Sequence, residues 1–450
     1  MTTRRSFLKN TTAGGALFLM GNAFTAYGDA QAATAKTGNA NPAGVFVRMP
    51  DESSLHKLTW MAYGATVQAW GSNGAFGANR LIARKDLMRI AANLSRFEPV
   101  IMIVNNAADQ AEANTLLRQV AQEPVSVQTD HYEAGSIFTG GKPLPAIQSN
   151  RIQFVIHPLD DLWIRDTGAV FVVDAKKALY GVNFNFNGWG QVNTGAVGWK
   201  KDPLKAVNGI EDQPIARDQT IADFTLAHAP ATKIATWLVM EGGGIEVDGN
   251  GTAICTESCI LNPNRNPGKT KADVEAELLR TLGVRKVIWL PGSKAKDITD
   301  GHIDFYARFA DNGHVVYTLD PDPESPDHAA TLINQKILQN ATDVTGRKIN
   351  AVPLESPDFS VLQPVVTARN GWSRGSRNFN SHAFAAGYVG YYLANGCVLM
   401  AQFGDADADL AAFETLQRLF PDRVIMQITT DGIANGGGTI HCATQQQIAV

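Results

Sequence analysis

Apolar and polar positions along this chain recur in one order: two short alternating runs joined by a glycine turn, a helix-spaced stretch, then a short apolar run. The clearest copy predicts strands within Trp237–Val247 and Thr252–Glu257, paired across Asp248-Gly249-Asn250-Gly251. A helix over Lys271–Leu282 stops at Gly283, and a strand follows at Val287–Leu290. A second copy pairs His302–Phe309 with His314–Leu319 across Asp311-Asn312-Gly313, then runs through a helix at Asp327–Asn340 to a strand near Asn350–Pro353. A third has Gly390–Leu393 and Cys397–Gln402 around Asn395-Gly396, a helix at Ala406–Leu419 and a strand at Val424–Ile428.

Two fainter copies lie upstream. One is Lys57–Tyr63, a helix over Ala78–Phe97 and Val100–Val104; the other is Ala169–Val173, Ala178–Phe186 and a helix near Gln219–Ala227. Five ββαβ units imply a single α/β domain over residues 45–450, able to close radially as a propeller with helices outside and a polar pocket on its axis. The polar stretch Gly188–Ile215 reads as a lid or surface insertion.

Residues 1–32 stand apart from this pattern. Thr3-Arg4-Arg5-Ser6-Phe7-Leu8-Lys9, the apolar run Ala13–Met20 and Ala30-Gln31-Ala32 have the form of a twin-arginine export signal with its cleavage site. Residues 33–44 then form a flexible leader. The expectation is export through the twin-arginine machinery, to the periplasm in a cell with two membranes, and no stable membrane anchor. The 450-residue chain carries a net charge of −4 and has no basic cluster, which argues against nucleic acid and suits a cationic small molecule. The oligomeric state is left open, a homo-oligomer included.

The chemistry concentrates in a few places. Cys442 follows His441 beneath Gly436-Gly437-Gly438, a thiol where backbone lets a ligand come close. Gly301-His302-Ile303-Asp304 is read as opening a strand, which puts His302 and Asp304 on one face; an exposed polar edge is the plainer alternative. Glu241 precedes three glycines, as a ligand carboxylate or a solvated one on a bulge. Trp163 and Asp166, in Asp161–Gly168, suit stacking on and pairing with a planar cation, or else a strand-entry turn with an internal Arg–Asp pair. Asn183, Asn185 and Asn187 alternate as an amide ladder would. His302 is the better base, because His441 and Cys442 would point to opposite faces of a strand. Cys255 and Cys259 lie too far apart in a strand to bridge, and Cys397 reads as core. No metal-ligand spacing and no nucleotide-binding glycine motif accompanies these residues, so neither metal nor cofactor is expected. Thiol, imidazole and several carboxylates together suit attack on a planar cationic carbon such as a guanidinium.

Taken in order, the motifs resemble the agmatine deiminases of the guanidino-modifying pentein superfamily. They include His56–Ala62, Trp163–Gly168, Asn183–Gly190, Glu241-Gly242-Gly243, Leu261–Pro267, Asp300–Asp304, Ala394-Asn395-Gly396, Phe403-Gly404-Asp405 and Gly436–Gln447. The resemblance implies a five-bladed ring and hydrolysis of agmatine to N-carbamoylputrescine and ammonia. It also implies roles: Cys442 as nucleophile forming an amidino adduct, His302 as acid/base, Asp166 and Asp304 gripping the guanidinium, and Glu241 orienting the histidine. The chain departs from it in its export signal, in Tyr63-Gly64-Ala65-Thr66 and in the Gly190–Ile215 insertion. Peptidyl-arginine deimination is the alternative enzyme reading. A non-catalytic polyamine-binding protein is the alternative of another class, and rapid iodoacetamide modification of Cys442 would count against it.

Overall fold

The computed structural model describes residues 45–450 except 72–73, 127–135, 209, 311–312, 324, 326 and 359–383. The export signal, the 33–44 leader and Asp311-Asn312 of one turn lie outside the described residues.

Five sheets repeat one connection: an antiparallel strand pair, a helix, then a strand returning parallel to the second. The first repeat is Val170–Asp174, Leu179–Val182, helix Ile221–His228 and Thr232–Ile234. The second is Ile245–Val247, Thr252–Thr256, helix Lys271–Leu282 and Lys286–Leu290. The third is Ala307–Ala310, His314–Leu319, helix His328–Asn340 and Asn350–Glu355. The fourth is Tyr392–Ala394, Cys397–Gln402, helix Ala406–Leu419 and Val424–Thr429. The fifth closes the two ends of the described chain together: Gln445–Ile448 pairs antiparallel with His56–Ala62, which runs into helix Gly74–Leu94 and Val100–Val104. The α/β arrangement expected from the periodicity is therefore present.

Local chemistry explains the boundaries. In the second repeat Thr270 and Asp273 form a reciprocal capping box, and Gly283 ends the helix at φ 71°. A side chain on Gly283 would also collide with the Val47 carbonyl. The helix buries Val274, Leu278 and Leu282 against Ile245, Ala253 and Val284, one face toward its sheet.

Three readings need correction. His302 and Asp304 lie not on a strand but on a single 3₁₀ turn, Ile303–Phe305, with His302 at its N-cap; the strand starts at Ala307. Cys259 leaves the strand too, on the helical turn Glu257–Ile260, and Cys255, Cys259, Cys397 and Cys442 are all free and buried. The three asparagines form no ladder. Asn185 is left-handed at φ 57°, which breaks the alternation, and each amide finds a separate partner: Asn183 on Asp223, Asn185 on the Thr236 and Leu238 carbonyls, Asn187 on those of Val192 and Asn264.

The repeats position function through a feature the strand pattern hid. Each first strand is entered through a short turn: Ile164–Thr167, Gly242–Gly244, Ile303–Phe305, Tyr388–Gly390, and the turns through Thr439–Ala443. The entrance turns of neighbouring repeats meet directly, Ile164–Thr167 against Gly242–Gly244, Gly242–Gly244 against Ile303–Phe305, and Ile303–Phe305 against Tyr388–Gly390, so they gather at one end.

Candidate active site

Four of the five entrances each deliver a polar side chain to one place. Gly243 marks it: a Cβ added there would lie 2.6 Å from His302 Nδ1, 2.9 Å from Asp166 Oδ1 and 3.1 Å from Asp304 Oδ2. Only a hydrogen leaves this space open. Cys442 Sγ lies 3.5 Å from Asp304 Oδ2 and 3.5 Å from Thr439 Oγ1. The sulfur, the imidazole and the two aspartates named from sequence thus converge, all nearly fully buried. Two buried polar atoms of these residues, His302 Nδ1 in this space and Asp304 Oδ1, have no hydrogen-bond partner, a costly state for a buried group that a ligand would relieve.

Each acid is held differently. Asp166 accepts the Trp189 indole N–H at 2.9 Å and the Gly243 N–H at 3.2 Å, and its Oδ1 faces His302 Nδ1 at 3.6 Å. Burial pushes its carboxyl up to about 6, with His302 opposing and Asp304 and Glu241 adding to the rise. Asp304 is buried as deeply, but His441 Nδ1 at 2.8 Å, together with the charges of His302 and Arg165, outweighs that penalty and holds its carboxyl below the usual value. Glu241 sits 3.0 Å from His302 Nε2 and accepts Arg265 Nε–H on both oxygens at 3.0 and 3.1 Å. Its burial favours the neutral acid, yet Arg265 and His302 bring the carboxyl below its ordinary value. For His302 burial disfavours the cation, but Asp166, Cys259 and Glu241 together raise it well above an ordinary histidine.

The thiol goes the other way. Burial first, then the charges of Asp304 and Asp166, push Cys442 well above a free cysteine, with Thr439 hydrogen bonds opposing. Cys442 is therefore held as a neutral thiol in this pocket, so rapid reaction with a neutral alkylating agent is not expected of it. A bound planar cation between the aspartates would offset the two charges that suppress the thiolate.

Trp163 supports the glycine run that leads into the Cys442 turn. Its indole N–H donates to Asp161 at 3.0 Å, its ring packs beneath Gly436 and Gly438, and Trp70 stacks on it at 6.4 Å. Arg165 does not pair with its neighbour Asp166. It reaches Glu52 at 2.9 Å, and its backbone N–H and Nε–H hold the Cys442 and His441 carbonyls at 3.2 Å.

Sequence reasoning missed Glu52, Trp189, Arg265 and Thr439, and set His441 behind His302 as the weaker base. The turn places the His441 ring between Asp304 and Glu52, whose Oε2 is 3.0 Å from Nε2. Nothing marks Glu52 locally; its partners Arg165, Arg308 and His441 come from other repeats. Arg265 lies inside the quoted Leu261–Pro267 motif, but its pairing with Glu241 spans 24 residues. Glu241, Cys259 and His302 offer ligand atoms within 4.8 Å of one another, the described group best able to hold a metal. The Arg265 guanidinium on both Glu241 oxygens already supplies a cation there and works against a second.

A family model for the Porphyromonas-type peptidyl-arginine deiminases matches residues 48–447. The chain belongs to that family. It is 31% identical over 408 residues to the agmatine deiminase of Pseudomonas aeruginosa, covering 89% of this chain and 95% of that one. It is 30% identical to the agmatine deiminase of Pseudomonas putida, covering 92% and 99%. A solved agmatine deiminase of Enterococcus faecalis superposes with a TM-score of 0.70 at 25% identity, over 91% of this chain and 99% of that one. The resemblance to agmatine deiminases read from the sequence holds, and the five-repeat α/β architecture is the pentein fold of these relatives.

Proposed function

We propose that this protein hydrolyses agmatine to N-carbamoylputrescine and ammonia through a covalent amidino intermediate on Cys442. The carrying observation is the convergence on Gly243 of His302, Asp166 and Asp304, with the Cys442 thiol on Asp304 and the unpartnered buried His302 Nδ1 facing the same space. The names and extent of the relatives support the substrate.

A guanidinium resists attack because its charge is delocalised, so the site must fix its plane and supply an electron-rich sulfur. Asp166 and Asp304 hold opposite N–H edges, and the substrate charge lowers the cost of ionising Cys442. Sulfur forms a bond to the central carbon, and the C–N bond to one amino group breaks. The thiol proton leaves with that group as ammonia, His302 donating at the departing nitrogen while Glu241 holds its far side. Water then adds to the amidino thioether; the C–S bond breaks, the sulfur takes back a proton, and the ureido product leaves.

The depth of the site favours a slender free guanidine over an arginine within a peptide backbone. The test is ammonia release from agmatine, free arginine and an arginyl peptide. Agmatine is expected to be turned over fastest; faster turnover of the peptide would overturn the substrate, and loss of nothing in Cys442→Ala would overturn the mechanism. Export rests on Arg4 and Arg5 of the signal: replacing both with lysine is expected to retain the protein in the cytoplasm, and unchanged export would refute the twin-arginine route.

A further inference from the structure

The insertion at Gly188–Ile215 contributes two side chains to a closed ring of contacts around His302. Trp189 donates its indole N–H to Asp166 Oδ2 at 2.9 Å. Lys205, on the short helix Pro203–Val207, donates to the Trp189 carbonyl at 2.6 Å, to the Ile298 carbonyl at 2.6 Å, and lies 2.8 Å from Asp300 Oδ2. Asp300 accepts Arg265 Nη1–H at 2.8 Å, Arg265 reaches Glu241 at 3.0 Å, and Glu241 meets His302 Nε2 at 3.0 Å. The 3.6 Å approach of His302 Nδ1 to Asp166 closes the circuit. Lys205 is where its two arms meet, one leading to the substrate-gripping carboxylate and the other to the proton donor.

Three features give this ring more weight than a chance network. The ammonium side chain is only 7% exposed, yet all three of its N–H bonds find acceptors. Trp189 is held at φ 55°, a left-handed conformation that a bulky side chain adopts only under constraint, and the ring fixes it at both indole and carbonyl. Asp300 is left-handed too, at φ 63°, and lies two residues before His302, whose own N–H is tied to Thr299.

We propose that Lys205 is a positioning residue for deimination, fixing Asp166 and His302 relative to each other through Trp189 on one side and Asp300–Arg265–Glu241 on the other. This rests on the reading of Cys442, Asp166 and His302 as the reacting centre. Lys205 touches no substrate. Without it the two arms relax independently, and the guanidinium plane loses its register with the sulfur.

The test compares wild type with Lys205→Met and Lys205→Arg in kcat and KM for agmatine, and in inactivation by two alkylating probes: chloroacetamidine, planar and cationic, and iodoacetamide, neutral. Lys205→Met is expected to lose about tenfold or more in kcat. Its inactivation by chloroacetamidine falls in parallel, its reaction with iodoacetamide is unchanged, and Lys205→Arg recovers most of the loss. A merely structural lysine would lower the folded fraction instead, and the cysteines exposed by unfolding would react faster with iodoacetamide while the cationic probe lost its preference. Should Lys205→Met not fold, Lys205→Gln, which keeps a donor but not the charge, is read in the same way. Wild-type kcat and probe selectivity in the folded neutral variant overturn the role of Lys205 alone. A wild type that releases no ammonia and shows no preference for the cationic probe overturns the reaction itself.

Discussion

Asp166 and Asp304 face the same glycine and titrate in opposite directions. Burial leaves Asp166 near 6, while His441 holds Asp304 ionised well below that. Gripping a guanidinium requires both as carboxylates. The rate at low substrate is therefore expected to rise as pH climbs through about 6 and Asp166 loses its proton; initial rates from pH 5 to 8 check this. Asp166→Asn should lack that rise and lose roughly 1.5–3 kcal/mol of transition-state stabilisation, typical of a charged hydrogen bond. Gly243→Ala is expected to abolish turnover, because its methyl would sit within contact distance of three reacting groups. Circular dichroism separates that loss from unfolding. These residues were legible as types: cysteine, histidine and carboxylates near glycines. What could not be read was that His441, itself seated on Glu52, would help hold Asp304 ionised from behind.

The entrances to the first strands carry most of the site, and they are also where sequence reading was least secure. Helix boundaries such as Lys271–Leu282 and Ala406–Leu419 emerged as expected, because caps and apolar spacing are local signals. A single 3₁₀ turn has no such period. His302-Ile303-Asp304 alternates like a strand, and the pairing that decides otherwise lies in other repeats. The same distance hides the buried network behind the site, where Glu52 meets Arg308 at 2.7 Å, Arg165 at 2.9 Å and His441 at 3.0 Å. Removing Arg308 strands Glu246 and takes from Glu52 one of its three cationic partners, a fully buried guanidinium. Arg308→Met is therefore expected to cost about 3–5 kcal/mol in urea unfolding. A change below about 1 kcal/mol would show that the network is dispensable.

The fold closes by joining Gln445–Ile448 to His56–Ala62, so the repeat that carries Cys442 into place uses both ends of the described chain. Periodicity predicted five repeats but not this closure, since the pairing strands lie nearly the whole chain apart. Every repeat lends an entrance turn to one end of the ring, and four of them supply Asp166, Glu241 with Gly243, His302 with Asp304, and Cys442. The account makes one chemical claim above all, that sulfur at Cys442 becomes covalently joined to the substrate carbon. Acid quenching during steady-state turnover of agmatine, followed by peptide mass spectrometry, tests it most directly. The peptide containing Cys442 is predicted to carry the substrate minus ammonia. An unmodified Cys442 while turnover proceeds, or the adduct on Cys259 instead, would contradict it.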